Sequence, residues 1–375
     1  MLESSITLGR VAGIRIGIHY TWFIIFGLLT FSLMALFGQN YPGWGRTEVM
    51  VTALGTSLLF FVSIVLHELS HSLVAISRNI PVRSITLFIF GGVAQTEKDT
   101  ETAGDEFWIA IAGPLLSLAL AGLFFVFSGP LATVSQQAAV AAEWLASINF
   151  LVALFNLVPG FPLDGGRVFR ALVWGISGNA ARGMQWAVMG GRIIAYGLLV
   201  LGVYQVLATG LILNGLWLAA IGWFLLSAAE ASARDFALNQ LLRGVTARDV
   251  LQREVPVVPG DTSIRDWIER YALASGQRSA LVSEHDGDEI VGLVTLSDCR
   301  KVPREEWARA RVRDVMTRRE NLQVVNLRTG LGEVLRIMES GSLNQVPVVE
   351  DHRLVGWIDR DRLLRTVRLY MEVGR

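Results

Sequence analysis

The sequence of 375 residues contains one cysteine, Cys299, so the chain has no second thiol with which to close an internal disulfide bond. This scarcity suits a reducing compartment. Charged residues are also scarce, at 18% of the chain, and the net charge of zero comes without a run of lysine or arginine. Because no basic face is available for phosphate groups, we expect no nucleic acid partner.

Apolar residues dominate the chain before Glu230. Hydrophobic residues make up 52% of the sequence and the mean hydropathy is +0.45, which is too apolar for a soluble protein of this length. We therefore predict a protein embedded in the lipid bilayer, with a transmembrane domain over 1–230, a linker over 231–244 and a polar domain over 245–375. No small-x-small motif follows the first apolar run, and Glu3 precedes it, so we expect no cleavable signal peptide.

Six membrane spans are predicted. No residue from Ile193 to Ala229 is charged, and one helix of this length would reach about 55 Å, nearly twice a ~30 Å hydrocarbon core. This stretch should therefore break, and Thr209-Gly210 is the expected position. The predicted spans are Thr21–Gly38, Val51–Ser77, Phe107–Phe127, Ala141–Val158, a fifth that begins near Trp186 and a sixth that ends near Glu230.

Basic residues predict the orientation of these spans. An even number of spans places both termini on one side of the membrane, and only Arg46 lies on the other side. The positive-inside rule therefore predicts cytoplasmic termini and a location in the cell (inner) membrane. Spans two and four then both end at the cytoplasmic leaflet, where residues at their ends can meet. The basic residues on the terminal side are Arg10, Arg15, Arg78, Arg83, Lys98, Arg167, Arg170, Arg182 and Arg234.

The most informative motif is His67-Glu68-Leu69-Ser70-His71 in span two. On a helix, this spacing places both imidazoles on one face, where they can bind one Zn²⁺ with the glutamate beside it. A charge in the middle of a bilayer costs about 2.5–3.5 kcal/mol, so such a cluster indicates function. The alternative is that neighbouring helices simply satisfy these polar groups.

Span four ends in a segment rich in proline and glycine, Asn156–Gly166. Irregular backbone at membrane depth is tolerated only where it is buried in protein or lines a wet cavity. Catalytic zinc takes three protein ligands, so Asp164 is predicted as the third ligand, although an ordinary Asp-Gly turn is the alternative. Asn156 is predicted to donate a hydrogen bond to a substrate carbonyl oxygen, and a hydrogen bond between helices is its alternative.

These residues predict hydrolysis of a peptide bond. Glu68 would take a proton from a water that zinc acidifies, and the resulting hydroxide would attack the carbonyl carbon. Glu68 would then return the proton to the leaving amine. A carrier of metal ions across the membrane is the rival function, and it has no need of a general base between its ligands.

Together, the motif at His67–His71 and the later Asn156–Gly166 segment resemble the site-2 protease family of intramembrane zinc metalloproteases, peptidase family M50. The resemblance implies one zinc ion per chain, held by His67, His71 and Asp164. It also implies that Glu68 is the catalytic base, that Asn156 contacts the substrate, and that the substrate is a transmembrane segment of another protein cut by regulated intramembrane proteolysis.

A β-like run between spans two and three, Ser84–Phe90, is followed by Gly91-Gly92 and predicts a membrane-associated hairpin. A peptide bond inside a substrate helix is shielded by the hydrogen bonds of that helix. Cleavage therefore requires the substrate to unwind into an extended strand. Our hypothesis is that Ser84–Gln95 receives this strand by strand addition.

The polar domain contains an internal repeat of about 65 residues, in which Val291-Gly292-Leu293-Val294 matches Val355-Gly356-Trp357-Ile358. Each copy is predicted to have the order strand, helix, strand, strand, helix. The pair resembles a tandem cystathionine-β-synthase (CBS) module over about 245–303 and 312–370. This resemblance implies association into homodimers and regulation by an adenine nucleotide such as ATP or AMP.

The CBS nucleotide signature is present once, in Gly292–Asp298, where Thr295 and Asp298 are the predicted nucleotide-binding residues. The second copy departs from the signature at Asp359 and Arg362, so at most one nucleotide is expected. A purely structural CBS pair is the alternative. The predicted fold class is thus a polytopic α-helical membrane domain with a small β-hairpin or sheet, followed by a cytosolic α/β tandem CBS domain. The predicted function is an intramembrane zinc protease regulated by the CBS pair, and the alternative is a CBS-gated metal transporter.

Overall fold

The computed structural model describes residues 6–89, 91–96, 100–274, 276, 278–284, 290–350 and 353–373. Phe90 and Lys98, which entered the sequence predictions, lie outside these residues. The chain divides into two compact units, Met1–Phe236 and Ala237–Arg375. We call them the first and second units.

Six helices in the described part of the chain are long and apolar enough to cross a membrane, which confirms the predicted fold class. The fifth of them continues from Tyr204 through a π-helical turn, Gln205–Thr209. The membrane helices are α1 (Trp22–Asn40), α2 (Arg46–Ser77), α3 (Ala103–Ala132), α4 (Gln136–Asn156), α6 (Ala180–Tyr204) and α7 (Ile212–Leu241), and the shorter helix α5 (Asp164–Ser177) lies between α4 and α6.

The predicted break in the long uncharged stretch is present at Gly210. Gly210 has a φ of +70°, a left-handed conformation that glycine adopts without strain. The outer limits differ from the prediction, because α6 begins at Ala180 rather than near Trp186 and α7 continues past Glu230 to Leu241. The charged last turns of α7 fall within the predicted linker, 231–244, so most of that linker is helical.

A four-stranded sheet lies beside the helices of the first unit. Its strands are β1 (Ile6–Val11), β2 (Ile14–Ile18), β3 (Val82–Phe88) and β4 (Gly91–Thr96), in the order β1-β2-β3-β4. β3 and β4 form the predicted antiparallel hairpin, and β2 pairs with β3 in parallel. Ile14 and Ile85 are fully buried against Ala75 of α2 and Ile109 of α3, which holds the sheet against the helices. Within the residues described, β4 is an outer edge of this sheet.

The second unit contains the two predicted repeats. The first comprises α8 (Ala247–Val250), β5 (Val257–Pro259), α9 (Ile264–Asp266), β6 (Ser279–Ser283), β7 (Ile290–Thr295) and α10 (Leu296–Cys299). The second comprises α11 (Val312–Val315), β8 (Thr317–Arg318), β9 (Val325–Asn326), α12 (Leu331–Ser340), β10 (Gln345–Glu350), β11 (Arg353–Asp359) and α13 (Arg360–Val373). From β5 in the first repeat and from β9 in the second, the order is strand, helix, strand, strand, helix, as the repeat pattern predicts.

The two repeats exchange their leading segments. β8 of the second repeat pairs with β7 of the first, while Gln252, which precedes β5, bridges to Trp357 in β11. The repeat-equivalent glycines lie where these segments cross: a Cβ at Gly292 would be 2.6 Å from the Thr317 carbonyl oxygen, and a Cβ at Gly356 would overlap the Gln252 carbonyl oxygen. Both glycines therefore permit a close backbone crossing.

Cys299, the single cysteine, is buried at the end of α10. Burial and, to a smaller extent, the negative charge of Asp298 raise the pKa of its thiol to about 11. The thiol therefore stays protonated at neutral pH and packs as a small apolar side chain.

We predict that Gly292→Ala and Gly356→Ala each loosen one crossing. Overpacking of this kind costs about 1–3 kcal/mol. Hydrogen–deuterium exchange of the full-length protein should show faster exchange around Thr317 in the first variant and around Gln252 in the second. Gly330→Ala is the matched control, because a Cβ at Gly330 meets nothing within 4 Å. Equal exchange in all three variants would contradict the crossing role.

Candidate metal centre

The two histidines of α2 face the interior of the first unit. His67 and His71 are both buried, because the i, i+4 spacing keeps them on the face that packs against the neighbouring helices. Their Nε2 atoms are 3.2 Å apart. The spacing in the sequence therefore produces the paired imidazoles that it predicted.

Asp164 meets the two imidazoles from a distant part of the chain. Its Oδ2 atom lies 3.1 Å from Nε2 of His67 and 3.2 Å from Nε2 of His71. Asp164 is the first residue of α5, following the cap residue Leu163. The predicted break after span four therefore extends over 157–163 and ends just before Asp164. The glycines at 165 and 166 suggested a loop, but here they belong to the first turn of a helix whose N-terminus favours a carboxylate.

Each imidazole is oriented by a contact on its other nitrogen, and both contacts come from α3. Nδ1 of His71 donates a hydrogen bond to the carbonyl oxygen of Ile109 over 2.6 Å, and Nδ1 of His67 lies 2.9 Å from the hydroxyl of Ser117. A carbonyl only accepts hydrogen bonds, so the neutral His71 ring carries its proton on Nδ1 and presents a lone pair at Nε2.

Gly113 of α3 lies directly against the paired imidazoles. A Cβ at this position would overlap Nε2 of His71 and would lie 2.5 Å from Nε2 of His67. Ile109, Gly113 and Ser117 are four residues apart and therefore share one face of α3. Because glycine has no side chain, Gly113 leaves room for the three ligand atoms to meet.

The segment before Asp164 is docked on α6 through backbone contacts. The amide of Phe161 donates to the carbonyl of Ala187 over 3.0 Å. A Cβ at Gly160 would lie 2.6 Å from the Gly191 amide nitrogen, and a Cβ at Gly191 would overlap the Phe161 carbonyl oxygen. Glycine on both sides lets α6 approach the ligand segment closely and fixes where α5 starts.

Glu68 lies between the histidines in sequence and is half-buried. It is close enough to His71 and Asp164 to interact with both electrostatically. β4 packs against it at Gly92, where a Cβ would lie 2.5 Å from the Glu68 Cγ atom. The residue predicted as the general base therefore lies beside the candidate ligands and beside the outer strand of the sheet.

Asn156 is the last residue of α4 and is half-buried. Among the residues described, no hydrogen bond joins its amide to His67, His71 or Asp164, so its substrate-contacting role stays a prediction. Sequence reasoning missed another amide on the same helix: Asn149 is buried and donates to the Leu145 carbonyl oxygen over 2.8 Å. Its only signal was a polar residue inside an apolar span.

Sequence reasoning also missed a buried ionic cluster on the α3 and α5 helices. Glu106, near the start of α3, accepts a hydrogen bond from Arg167 of α5 over 3.1 Å. Nη1 of Arg170, one turn further along α5, is 3.9 Å from the same carboxylate oxygen. The sequence does show an acidic residue at the start of one apolar span and two arginines just after Asp164. It does not indicate that the acid and the arginines contact each other.

The predicted nucleotide-binding residues of the second unit act as a helix cap. The Thr295 hydroxyl donates to Oδ2 of Asp298 over 2.7 Å, and the Asp298 amide donates back to the Thr295 hydroxyl over 3.3 Å. Lys301 donates to the other carboxylate oxygen over 2.9 Å. In the second repeat, Asp359 accepts from the amide of Asp361 at the start of α13. The hydroxyl and the carboxylate at these equivalent positions thus both cap a helix, and nucleotide binding stays a prediction.

The donor set fits a zinc ion. Two imidazole nitrogens and one carboxylate oxygen are the ligands of many catalytic zinc sites, with bonds of about 2.0–2.2 Å. Tetrahedral ligands at that bond length are separated by roughly 3.3 Å, and the three ligand atoms here are 3.1–3.2 Å apart. In the described part of the chain, these three residues form the only group of at least three such side chains close enough to hold a metal.

We predict that Gly113→Ala displaces the imidazoles and removes most of the bound zinc. The added methyl group would overlap the Nε2 atoms of both histidines. Metal analysis of the purified protein after dialysis against a weak chelator measures this loss.

Gly122→Ala is the matched control, because Gly122 lies on the same helix and a Cβ there meets nothing within 4 Å. Both substitutions exchange glycine for alanine within α3, so they change helix propensity alike. Wild-type zinc content in Gly113→Ala would contradict the packing role assigned to this residue.

Both units of this chain are similar to known proteins. The family model described as "Peptidase family M50" matches residues 55–142 and 127–198, and the CBS domain model matches residues 247–305 and 312–369. The protein sll0528 of Synechocystis sp. is 34% identical over 376 residues, covering 98% of this chain and 96% of its own. Zinc metalloprotease MJ0392 of Methanocaldococcus jannaschii is 28% identical over 368 residues, covering 98% of this chain and 97% of its own.

A solved structure of a site-2 protease from Methanocaldococcus jannaschii is also similar, with 26% identity and a TM-score of 0.43 over 61% of this chain and 94% of that chain. The assignment rests on the full-length sequence matches and the family models, which span the metal motif and both repeats. The chain therefore belongs to peptidase family M50, the zinc metalloproteases of the site-2 protease type, and carries a pair of CBS domains.

Proposed function

We propose that this protein cleaves transmembrane segments of other membrane proteins, as in regulated intramembrane proteolysis, with one zinc ion held by His67, His71 and Asp164. The observation that carries the proposal is the meeting of these three ligand atoms, 3.1–3.2 Å apart, inside a unit with six membrane helices. Ionisable residues are costly to bury at that depth, so their presence there indicates a function.

The chain's own residues supply the proton transfers. Zinc bound at this site would supply a positive charge that polarises the substrate carbonyl and acidifies water. Glu68, beside the ligands, accepts the proton from the attacking water and later donates it to the leaving amine. Ile109 and Ser117 keep the imidazoles oriented, and Asn156 is the proposed donor to the substrate.

The outer edge of β4 is the proposed binding place of the unwound substrate. β4 is the last strand in the order β1-β2-β3-β4, and its Gly92 packs against Glu68. A strand added along β4 would gain main-chain hydrogen bonds and would run next to the strand that contacts the general base. Among the described residues of the predicted receiving segment, Ser84–Gln95, β3 is already paired on both sides and β4 has the open edge.

The proposed location is the cell (inner) membrane with both termini in the cytoplasm. The support is the excess of arginine in the loops on the side of the termini. The candidate ligands lie near the C-terminal end of α2 and after the C-terminal end of α4, so cleavage would occur toward the cytoplasmic leaflet. This orientation also places the CBS pair in the cytoplasm.

The CBS pair is the proposed regulatory part, with an adenine nucleotide as its ligand and homodimerisation as its mode of association. Both features follow from the family resemblance. The single copy of the nucleotide signature supports one nucleotide per chain. Thr295 and Asp298 would have to bind it while they cap α10.

We predict that Glu68→Gln abolishes proteolysis and leaves zinc content unchanged, because it removes the general base and none of the proposed ligands. Proteomics of membrane-protein fragments, comparing cells that express the wild type or the variant, measures this. Glu143→Gln is the matched control, since Glu143 is an exposed glutamate on membrane helix α4. Zinc flux into vesicles in the absence of any cleavage would favour the transporter instead.

We predict that a proline on the outer edge of β4 slows cleavage without release of zinc. Along a paired strand, successive amides point alternately toward and away from the partner strand. Of the two variants Val93→Pro and Ala94→Pro, one therefore loses an amide that points toward β3 and the other loses an amide that points toward the open edge. The variant that keeps its zinc and its hairpin should cleave the substrates identified by fragment proteomics more slowly. Wild-type turnover in that variant would contradict strand addition.

A further inference from the structure

Glu106 is a buried carboxylate in the first turn of α3, and a carboxylate at such a position requires ion-pair or hydrogen-bond partners. It is 2% exposed, and removal of a charge from water is costly unless it is paired and hydrogen-bonded. Its partners are Arg167 at 3.1 Å, Arg170 at 3.9 Å and the hydroxyl of Thr100. The two arginines lie on α5, three and six residues after Asp164.

The same face of α3 contacts both halves of the metal centre. Ile109 and Ser117 hold the imidazoles of α2, and Gly113 lies against them. Glu106 precedes Ile109 by three residues, so it lies one turn earlier on this face. α3 therefore contacts the histidine helix through its middle and the aspartate helix through Glu106.

We propose that Glu106 is a positioning residue that sets Asp164 against His67 and His71 by holding Arg167 and Arg170 of α5. The inference rests on the zinc site of the proposed function and adds a residue that the metal motifs do not contain. Two helices that carry different ligands need a common support, and Glu106 links α5 to the helix that already orients both imidazoles.

The start of α3 does not by itself explain a buried acid at this position. A carboxylate in the first turn suits the helix dipole, but Asp105 next to it provides this and accepts from Thr102 and Arg78. Arg78 is 42% exposed in that pair, whereas the Glu106 side chain is turned inward toward α5. The burial of Glu106 is thus explained by its ion pairs with α5 and not by an interaction with the dipole of α3.

Arg167 explains what the loss of Glu106 would do. Besides Glu106, this guanidinium interacts electrostatically with Asp164 and Glu68. Arg170 has further contacts, because its guanidinium lies 5.1 Å from the centre of the Phe236 ring and 6.0 Å from that of Trp174. Without Glu106, Arg167 would lose its ion-pair partner. Its guanidinium, one turn after Asp164 on α5, would then compete with the metal for the Asp164 carboxylate.

The test measures zinc affinity of the full-length protein in detergent by chelator competition, together with the visible spectrum of the Co²⁺-substituted protein. Glu106→Gln should weaken zinc binding about 10-fold to 100-fold, the usual range for residues that orient ligands, and should alter the Co²⁺ bands. Asp105→Asn is the matched control: it removes the same charge one residue earlier and should retain wild-type affinity and bands.

A second substitution separates positioning from a general loss of structure. Glu106→Gln combined with Arg167→Gln removes the guanidinium that would compete for Asp164, so part of the lost affinity should return. A merely structural role predicts that the double variant binds zinc no better than the single one. Should Glu106→Gln fail to fold, Glu106→Asp keeps the charge, shortens the reach to α5 and should lose about 10-fold in affinity.

Asp164→Asn is the reference that distinguishes the two proposals. Weaker zinc binding in Asp164→Asn with wild-type affinity in Glu106→Gln would overturn the positioning role and leave the proposed function standing. Unchanged binding in Asp164→Asn would overturn the zinc site itself and this inference with it. Loss in both, with partial recovery in the double variant, is the expected result.

Discussion

The ligand atoms of two imidazoles and one carboxylate surround a space about the size of one ion inside the first unit. The rest of that unit supports these three side chains. Their three ligand atoms lie 3.1–3.2 Å apart, and each side chain has a defined partner because unpaired polar groups are costly at membrane depth. α3 provides much of this support. It offers a carbonyl and a hydroxyl to the imidazoles, no side chain at Gly113, and a carboxylate to the helix that carries Asp164.

Close backbone approach is the second requirement of the site. Asp164 is separated from His71 by 93 residues, and its place depends on a segment held against α6 by glycine contacts on both sides. In a bilayer, helices gain little from the hydrophobic effect on association, so small residues and interhelical hydrogen bonds decide where they meet. The glycines around the ligand segment are therefore part of how the site is built.

In the second unit, glycines also permit close backbone approach, but there they lie where the two repeats cross. Repeat-equivalent glycines at 292 and 356 let the leading segment of each repeat cross the sheet of the other. Gly292 and Thr295 also belong to the nucleotide signature, so one short sequence serves a backbone crossing, a helix cap and a proposed ligand site. A motif match in this unit thus carries structural information whether or not a nucleotide binds.

Local spacing made much of this protein predictable. The structure contains the i, i+4 histidines, the six apolar spans, the break at Gly210 and the hairpin before α3, which are all short-range patterns. It also contains the internal repeat, which is visible as similarity between two parts of the sequence. The pairing of Asp164 with the histidines was also predictable, because a zinc site needs a third ligand and few intramembrane carboxylates are available. α5 was missed because two glycines suggested a loop where a docked helix begins.

Other features depended on contacts that no local pattern encodes. The residues that orient the ligands, Ile109, Ser117 and Glu106, lie on one face of α3, and the sequence does not state which face of an apolar helix meets which neighbour. In this molecule, the sequence by itself determined which chemical groups are available and in which order they follow along each helix. Only the tertiary structure decided which groups became partners, because hydrogen bonds and ion pairs form between atoms that packing brings within about 3 Å, irrespective of their separation in the chain.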